Sequence, residues 1–245
     1  MIKPKILWKG VIEQEQLKVT IIKPEQSNRV IDLDLEGKLT AKWQEKLEEA
    51  REKGAILYDG QSYRLESFTF QNGFAYLTVS PLKFSIRSTL KTMPQLENLG
   101  ETYYSHGLSV GGFVITNDGY YVFARKSRKS ASSLTKDIIG GVLEKIEPET
   151  SVGIFNMNKI ELQEEINVKP EMINMMKILG LVRSTSTDIV IVTSTLLNLS
   201  AAELKSLFEK RVAKELAVIE FIPSKNLSDY LVQLGGYKPL LGLLL

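Results

Sequence analysis

The second half of the chain alternates between strand-like runs and three amphipathic stretches, and this alternation restricts the fold more than any other property of the sequence. SVGGFVITNDGYYVFARKS reads as a hairpin turning at Asn117-Asp118-Gly119, with Tyr121, Phe123 and Arg125 on one face. DIIGGVL reads as a short strand, MKILGLVRSTSTDIVIVT as a strand pair, and LAVIEFIPS as a further strand. Between them lie a helix containing IELQEEINV, a helix over SAAELKSLFEKR with Ser200 as cap and Glu203 at the capping-box position, and a last full helix over SKNLSDYLVQLGG. Strands interleaved with helices in this way predict a mixed sheet packed between helices, in the α+β or α/β class.

The first hundred residues read differently. LKVTIIKP, AILYDGQSYRLESFTF and FAYLTVSPLKFSI carry β-branched and aromatic residues between turn signals at Asp59-Gly60 and Asn72-Gly73. One helix interrupts them, TAKWQEKLEEAREKG, with Thr40 at its start, Gly54 at its end, and Trp43, Leu47 and Ala50 at helical spacing. Residues 88–105 lose the periodicity and carry Pro94 and Gly100, which places a boundary there. The expected organisation is a small β-rich module over 1–105 followed by a larger α/β domain over 106–245.

Bulk properties narrow the function by exclusion. A length of 245 residues suits two modest domains. The formal charge of +2 calls for neither a nucleic acid nor an anionic membrane as partner. The absence of cysteine removes disulfides, thiolate metal sites and a cysteine nucleophile. A lone His106 removes histidine-rich zinc sites, and Ser/His/Asp catalysis would have to rest on that one residue. MIKPKILWKG lacks a signal-peptide core and no apolar run reaches the roughly 18 residues of a membrane span, so a cytoplasmic location is expected. The apolar tail YKPLLGLLL is expected to dock on a core or on a second subunit, which keeps a homodimer among the readings.

IELQEEINV concentrates the chemistry. Successive helical residues turn by about 100°, so Glu161, Glu164 and Glu165 share one face, while Phe155, Leu162 and Ile166 occupy an adjoining one. Like charges at i and i+4 oppose the helix by about 0.2–0.5 kcal/mol per pair, and no lysine one turn ahead neutralises them. Such a face is either a solvated stripe or a seat for a divalent cation. Upstream, GGVLEKIE sets a glycine pair at the end of a predicted strand, where glycine lets the backbone bend and approach a ligand.

Taken together, these segments resemble the Nudix hydrolases, whose signature is G-x5-E-x7-R-E-U-x-E-E-x-G-U, with U aliphatic. Gly141 and Glu147 have the first spacing, and Glu161, Leu162, Glu164, Glu165 and Val168 fall on the second half. The resemblance covers about residues 107–245. Three departures stand out: twelve residues rather than seven separate Glu147 from position 160, partly through the segment ETSVG; Ile160 replaces the arginine; and Asn167 replaces the last glycine. Asn tolerates the left-handed backbone that the glycine supplies. The arginine would brace Glu147, a role Lys159 could share, and its loss raises an alternative, a catalytically weakened nucleotide-binding or regulatory protein on the same fold.

The resemblance implies a Nudix-type α/β/α sandwich and a magnesium- or manganese-dependent hydrolase acting on the pyrophosphate of a small nucleoside diphosphate substrate. It implies Glu161 and Glu165 as principal metal ligands, Glu164 for a second ion or the attacking water, and a backbone carbonyl of Gly140 or Gly141 in the metal shell. The general base is left open. For the phosphates, FARKSRKSASSLTK offers Arg125, Lys126, Arg128, Lys129 and Lys136, with Arg125 the best placed. LGLVRSTSTDIVIVT offers Arg183 with the hydroxyls that follow, Ser184 and Thr185 first, for sugar or phosphate recognition. With the lengthened box and the separate β-rich module, this segment is similar to the subgroup of Nudix enzymes that hydrolyse UDP-glucose and UDP-galactose to UMP and a sugar 1-phosphate.

Overall fold

The computed structural model describes residues 2–94, 96–126, 136–144, 152–212, 216–233 and 238–244, and for Lys126, Lys136, Asp137, Val152 and Lys238 the backbone alone. In chain order the strands are β1 (Lys5–Ile12), β2 (Leu17–Ile21), β3 (Gln61–Gln71), β4 (Phe74–Lys83), β5 (Leu108–Ile115), β6 (Tyr120–Lys126), β7 (Lys136–Asp137), β8 (Ile139–Val142), β9 (Ile173–Arg183), β10 (Ile189–Leu197) and β11 (Leu216–Pro223). The helices are α1 (Leu33–Glu52), α2 (Phe84–Leu90), α3 (Leu96–Leu99), α4 (Val152–Ile166), α5 (Ala201–Glu209), α6 (Leu227–Gln233) and α7 (Lys238–Leu244).

Two sheets organise the chain. The larger runs β1-β9-β10-β5-β6-β11, with β7 beside β6 and β8 beside β5; the smaller runs β2-β4-β3. In the larger sheet β10 and β5 are parallel and the other pairs antiparallel, so the sheet is mixed. Leu162 and Ile166 of α4 pack with Leu204 and Phe208 of α5 against Val114, Val122 and Ile139. Leu227 and Leu231 of α6 and Leu240 and Leu243 of α7 pack with Phe113, Phe123, Val182 and Val192, whose side chains alternate with the first set along the strands. The result is an α/β/α sandwich. The small sheet joins through a shared core in which Leu17, Leu65 and Leu77 meet Ile12, Ile154, Phe155 and Ile178.

The first 105 residues are not confined to the small sheet. β1 pairs antiparallel with β9, Lys5 opposite Arg183 and Ile12 opposite Ile178, and so supplies an edge strand to the large sheet. The apolar tail becomes α7, with Leu243 against Gly180 and Gly242 against Ile6. No helix among the described residues is long and apolar enough to cross a membrane.

Several local signals act as the sequence predicts. The β3–β4 turn places Asn72 at φ +52° and Gly73 at +77°, the two left-handed positions such a turn requires. Ser200 caps α5 with its reciprocal bond to Glu203. Two expectations are corrected. α1 begins at Leu33 rather than Thr40, because Asp32 accepts a bond from the Leu35 N–H at 3.0 Å, and Thr40 inside the helix donates to the Glu36 carbonyl. The segment FSI is helical rather than extended. Asp59, in the Asp59-Gly60 turn signal, accepts from Ser85 N at 2.7 Å and Ser85 Oγ at 2.8 Å in the first turn of α2.

Candidate active site: two clefts sharing one glycine strand

β5 forks the large sheet. Its first half, Ser109 to Gly112, pairs with β8, while only Val114 and Ile115 pair with β6. The fork brings glycine backbones together. Gly140 has φ +149°, and a Cβ there would lie 2.2 Å from the Val110 carbonyl and 2.5 Å from Gly111 Cα. Only glycine fits, and the strand is thereby held flat under whatever covers it.

What covers it is the acidic face of α4. A Cβ on Gly141 would sit 2.0 Å from Glu161 Oε1, so the missing side chain is the space the carboxylate occupies. Glu165, buried, accepts the Gly140 N–H at 3.1 Å through Oε2. Leu162 and Ile166, fully buried on the adjoining face, fix the rotation of the helix, at about 1.5–3 kcal/mol for each side chain. At the helix end Asn167 takes φ +60°, its N–H bonds Gln163 O at 3.0 Å, and its side-chain amide donates to Leu207 O on α5. Asn thus supplies the left-handed residue and adds a tie between helices.

Glu161, Glu164 and Glu165 line one cleft of about 670 Å³ with Glu144, Ile160, Met157, Phe84 and Gly140 to Val142. Glu164 is exposed, and Glu161 and Glu165 take part in other contacts as well. Among the described residues no three acidic, histidine or cysteine side chains converge tightly enough to hold an ion by themselves. Two carboxylates one turn apart beside open cleft volume nevertheless fit a hard cation that takes one or two carboxylates and completes its shell with water and substrate phosphate. Ile160 stands in the cleft wall, 45% exposed. Glu147 and the ETSVG segment lie outside the described residues.

A second pocket, about 420 Å³, adjoins the first along Gly140, Gly141 and Val142. Ser184 and Thr185 line it, so the structure brings these two together with the glycine pair. The other expected cations are placed elsewhere or lie outside the described residues, the Lys126 side chain among them. Arg125 pairs with Glu220 at 2.6 Å across β6 and β11, and Glu220 also accepts from Tyr230 Oη, whose proton is held tightly by burial and by that bond. Arg183 pairs with Glu101 and lies over the Tyr104 ring; its bond holds the Glu101 carboxyl below the usual range against a smaller opposing effect of burial. Lys136 lies on β7 with its side chain outside the described residues, as Arg128 and Lys129 are entirely.

Sequence reading missed Arg87, Lys91, Ser109 and Asp188, which line the second pocket. Arg87 and Asp188 form a buried ion pair at 3.1 Å between α2 and the start of β10. No local pattern marks them as one site, since they come from three separate stretches of chain, at 87–91, 109 and 188.

No protein-family model matches the sequence, and no curated protein matches it either. Solved structures similar to the chain include a Nudix hydrolase from Nitrosomonas europaea, 12% identical over 49% of this chain and 74% of that one, with a TM-score of 0.31. The NUDIX domain of Shewanella oneidensis NrtR, solved with ADP ribose, is 14% identical over 61% and 99%, with a TM-score of 0.38. The MutT protein of Methanosarcina mazei Go1 is 16% identical over 52% and 80%, with a TM-score of 0.33. Likenesses at this level carry no argument about what this chain binds or turns over, and its chemistry rests on its own residues.

Proposed function

We propose that this protein is a divalent-metal-dependent hydrolase that splits the pyrophosphate of a nucleoside diphosphate-linked substrate, specifically a nucleotide sugar such as UDP-glucose. The observation that carries the reading is the seating of Glu161 and Glu165 on Gly141 and Gly140 at the wall of an open cleft. Glu161 and Glu165 would hold magnesium or manganese, with Glu164 at the cleft edge for a second ion or for orienting water. A bound ion would polarise a phosphoryl oxygen and lower the pKa of water, which this site needs because it has no histidine. Glu165, anchored by the Gly140 N–H, keeps its carboxylate in place without substrate. Water adds to one phosphorus, the bridging P–O bond breaks, and UMP and sugar 1-phosphate leave.

The test is release of UMP from UDP-glucose by the purified chain with magnesium or manganese, with ADP-ribose run in parallel. Glu165→Gln keeps an oxygen for the Gly140 N–H, so its melting temperature should hold while turnover falls at least ~100-fold, about 2.7 kcal/mol of barrier. Unchanged turnover in that variant would sink the reading. Ile160 in the cleft wall, where the family signature has arginine, favours a second reading as a nucleotide-binding regulator. That version predicts UDP-glucose binding that survives EDTA, with no turnover in any metal.

A further inference from the structure

The pocket beside the acidic cleft is built by different chemistry. Its polar lining is one exposed cation, Lys91, the buried Arg87–Asp188 pair, and the hydroxyls of Ser109, Ser184, Thr185 and Ser186. Arg87, almost wholly buried, donates from Nε and Nη2 to Asp188 Oδ2 at 3.2 and 3.1 Å, from Nη1 to Leu108 O at 2.7 Å, and from Nη2 to Ser109 Oγ at 2.7 Å. A guanidinium has no acceptor, so Ser109 Oγ accepts that bond and keeps its own hydrogen to donate. Asp188 is held from its other oxygen by Ser105 Oγ at 3.0 Å, and it balances the Arg87 charge. The surplus charge is therefore that of Lys91. Lys46 of α1 donates to Ser88 O at 2.6 Å and Ser88 Oγ at 2.9 Å; burial first, then Lys91 and Lys42, lower its affinity for a proton.

Composition tells the two cavities apart. The acidic cleft has an aromatic ring, Phe84, on its wall, whereas none of the described residues lining the second pocket is aromatic. A nucleobase gains most of its affinity from stacking and has no platform here. A polyhydroxylated ring with a phosphate ester gains from hydroxyl donors, hydroxyl acceptors and one cation, which is what this lining offers. A volume near 420 Å³ suits a ligand of that size.

We propose that this pocket seats the glycosyl phosphate half of the substrate, with Lys91 on a non-bridging phosphate oxygen and Ser109, Ser184 and Thr185 on ring hydroxyls. Arg87 acts as a positioning residue through Ser109. The inference rests on the hydrolase reading of the adjoining cleft and deepens it by assigning the two halves of the diphosphate to the two cavities that share β8.

Calorimetric titration of the full chain with glucose 1-phosphate and with UMP, both in EDTA, tests it apart from turnover. Glucose 1-phosphate should bind the native chain and Glu165→Gln alike, at least tenfold more weakly to Lys91→Gln, and several-fold more weakly to Thr185→Val. UMP binding should be indifferent to Lys91→Gln. Failure of glucose 1-phosphate to bind, or binding that ignores both pocket substitutions, overturns the proposal. A loss in Lys91→Gln that falls on UMP instead overturns it too, by putting the nucleotide half there. Absence of turnover in every metal with the glucose 1-phosphate pattern intact would strike the hydrolase reading alone and leave the pocket's ligand class standing.

Discussion

The acidic cleft and the hydroxyl pocket share the strand β8 yet are assembled in opposite ways. One takes its clustered glutamates from a single helix, where i, i+3 and i+4 need only a fixed rotation to bring Glu161 and Glu165 over Gly141 and Gly140. The other gathers its groups from α2, β5, the β9–β10 turn and β10, and depends on the buried Arg87–Asp188 pair to hold them in register. A site borne on one element survives loosening elsewhere in the molecule; a site collected from four fails when any one of them shifts.

The sharpest way to break this contrast is Arg87→Met. Removing one partner of a buried ion pair leaves Asp188 uncompensated and costs about 3–5 kcal/mol. Denaturant unfolding should show that loss, and the metal binding proposed for Glu161 and Glu165 should be little changed in the protein that remains folded. Equal damage to both sides would mean that the clefts are not independent. Gly140→Ala strikes the shared strand, combining a strained φ with a Cβ 2.2 Å from the Val110 carbonyl. An expected cost of about 2–4 kcal/mol should come with loss of both ligand and metal binding; retention of either would show that β8 is more pliant than its geometry implies.

The smallest effect is a pH dependence of stability set by His106. His106, next to Ser105 in the Asp188 network, is pushed down from 6.5 to about 4, by burial first and then by the nearby Arg64. The unfolded chain therefore holds more protons than the folded one between those values, so stability rises with pH across that window. It is complete above about 6.5 and is lost as the pH falls toward 4, by on the order of 2 kcal/mol after solvent screening. His106→Asn, which tolerates the φ of +43° at this position, should flatten the melting temperature across that range. Parallel curves for the two proteins would refute the assignment.

The same asymmetry explains what could be read from the sequence. The acidic face of α4, the glycine pair and the left-handed Asn167 are local features, written in neighbouring residues, and periodicity exposes them. Arg125 and Arg183 are visible as charges, but Glu220 and Glu101, which engage them, lie far away in the chain. Arg87 directly follows FSI, which reads as extended; its helix forms where Asp59 binds the first turn from 26 residues upstream. The start of α1 was missed for a nearer reason: Asp32 and Thr40 are both good caps, and only the chain path chooses between them.

The pairing of β1 with β9 has a consequence for how the molecule comes into being. Lys5 meets Arg183, so the edge of the large sheet closes a loop made of most of the chain, a long-range pairing whose closure costs entropy. Until it closes, β9 shows an open hydrogen-bonding edge to any other strand in solution. Speed of assembly and resistance to clumping should therefore depend on this seam, whose Arg183 end runs directly into Ser184 and Thr185 of the second pocket.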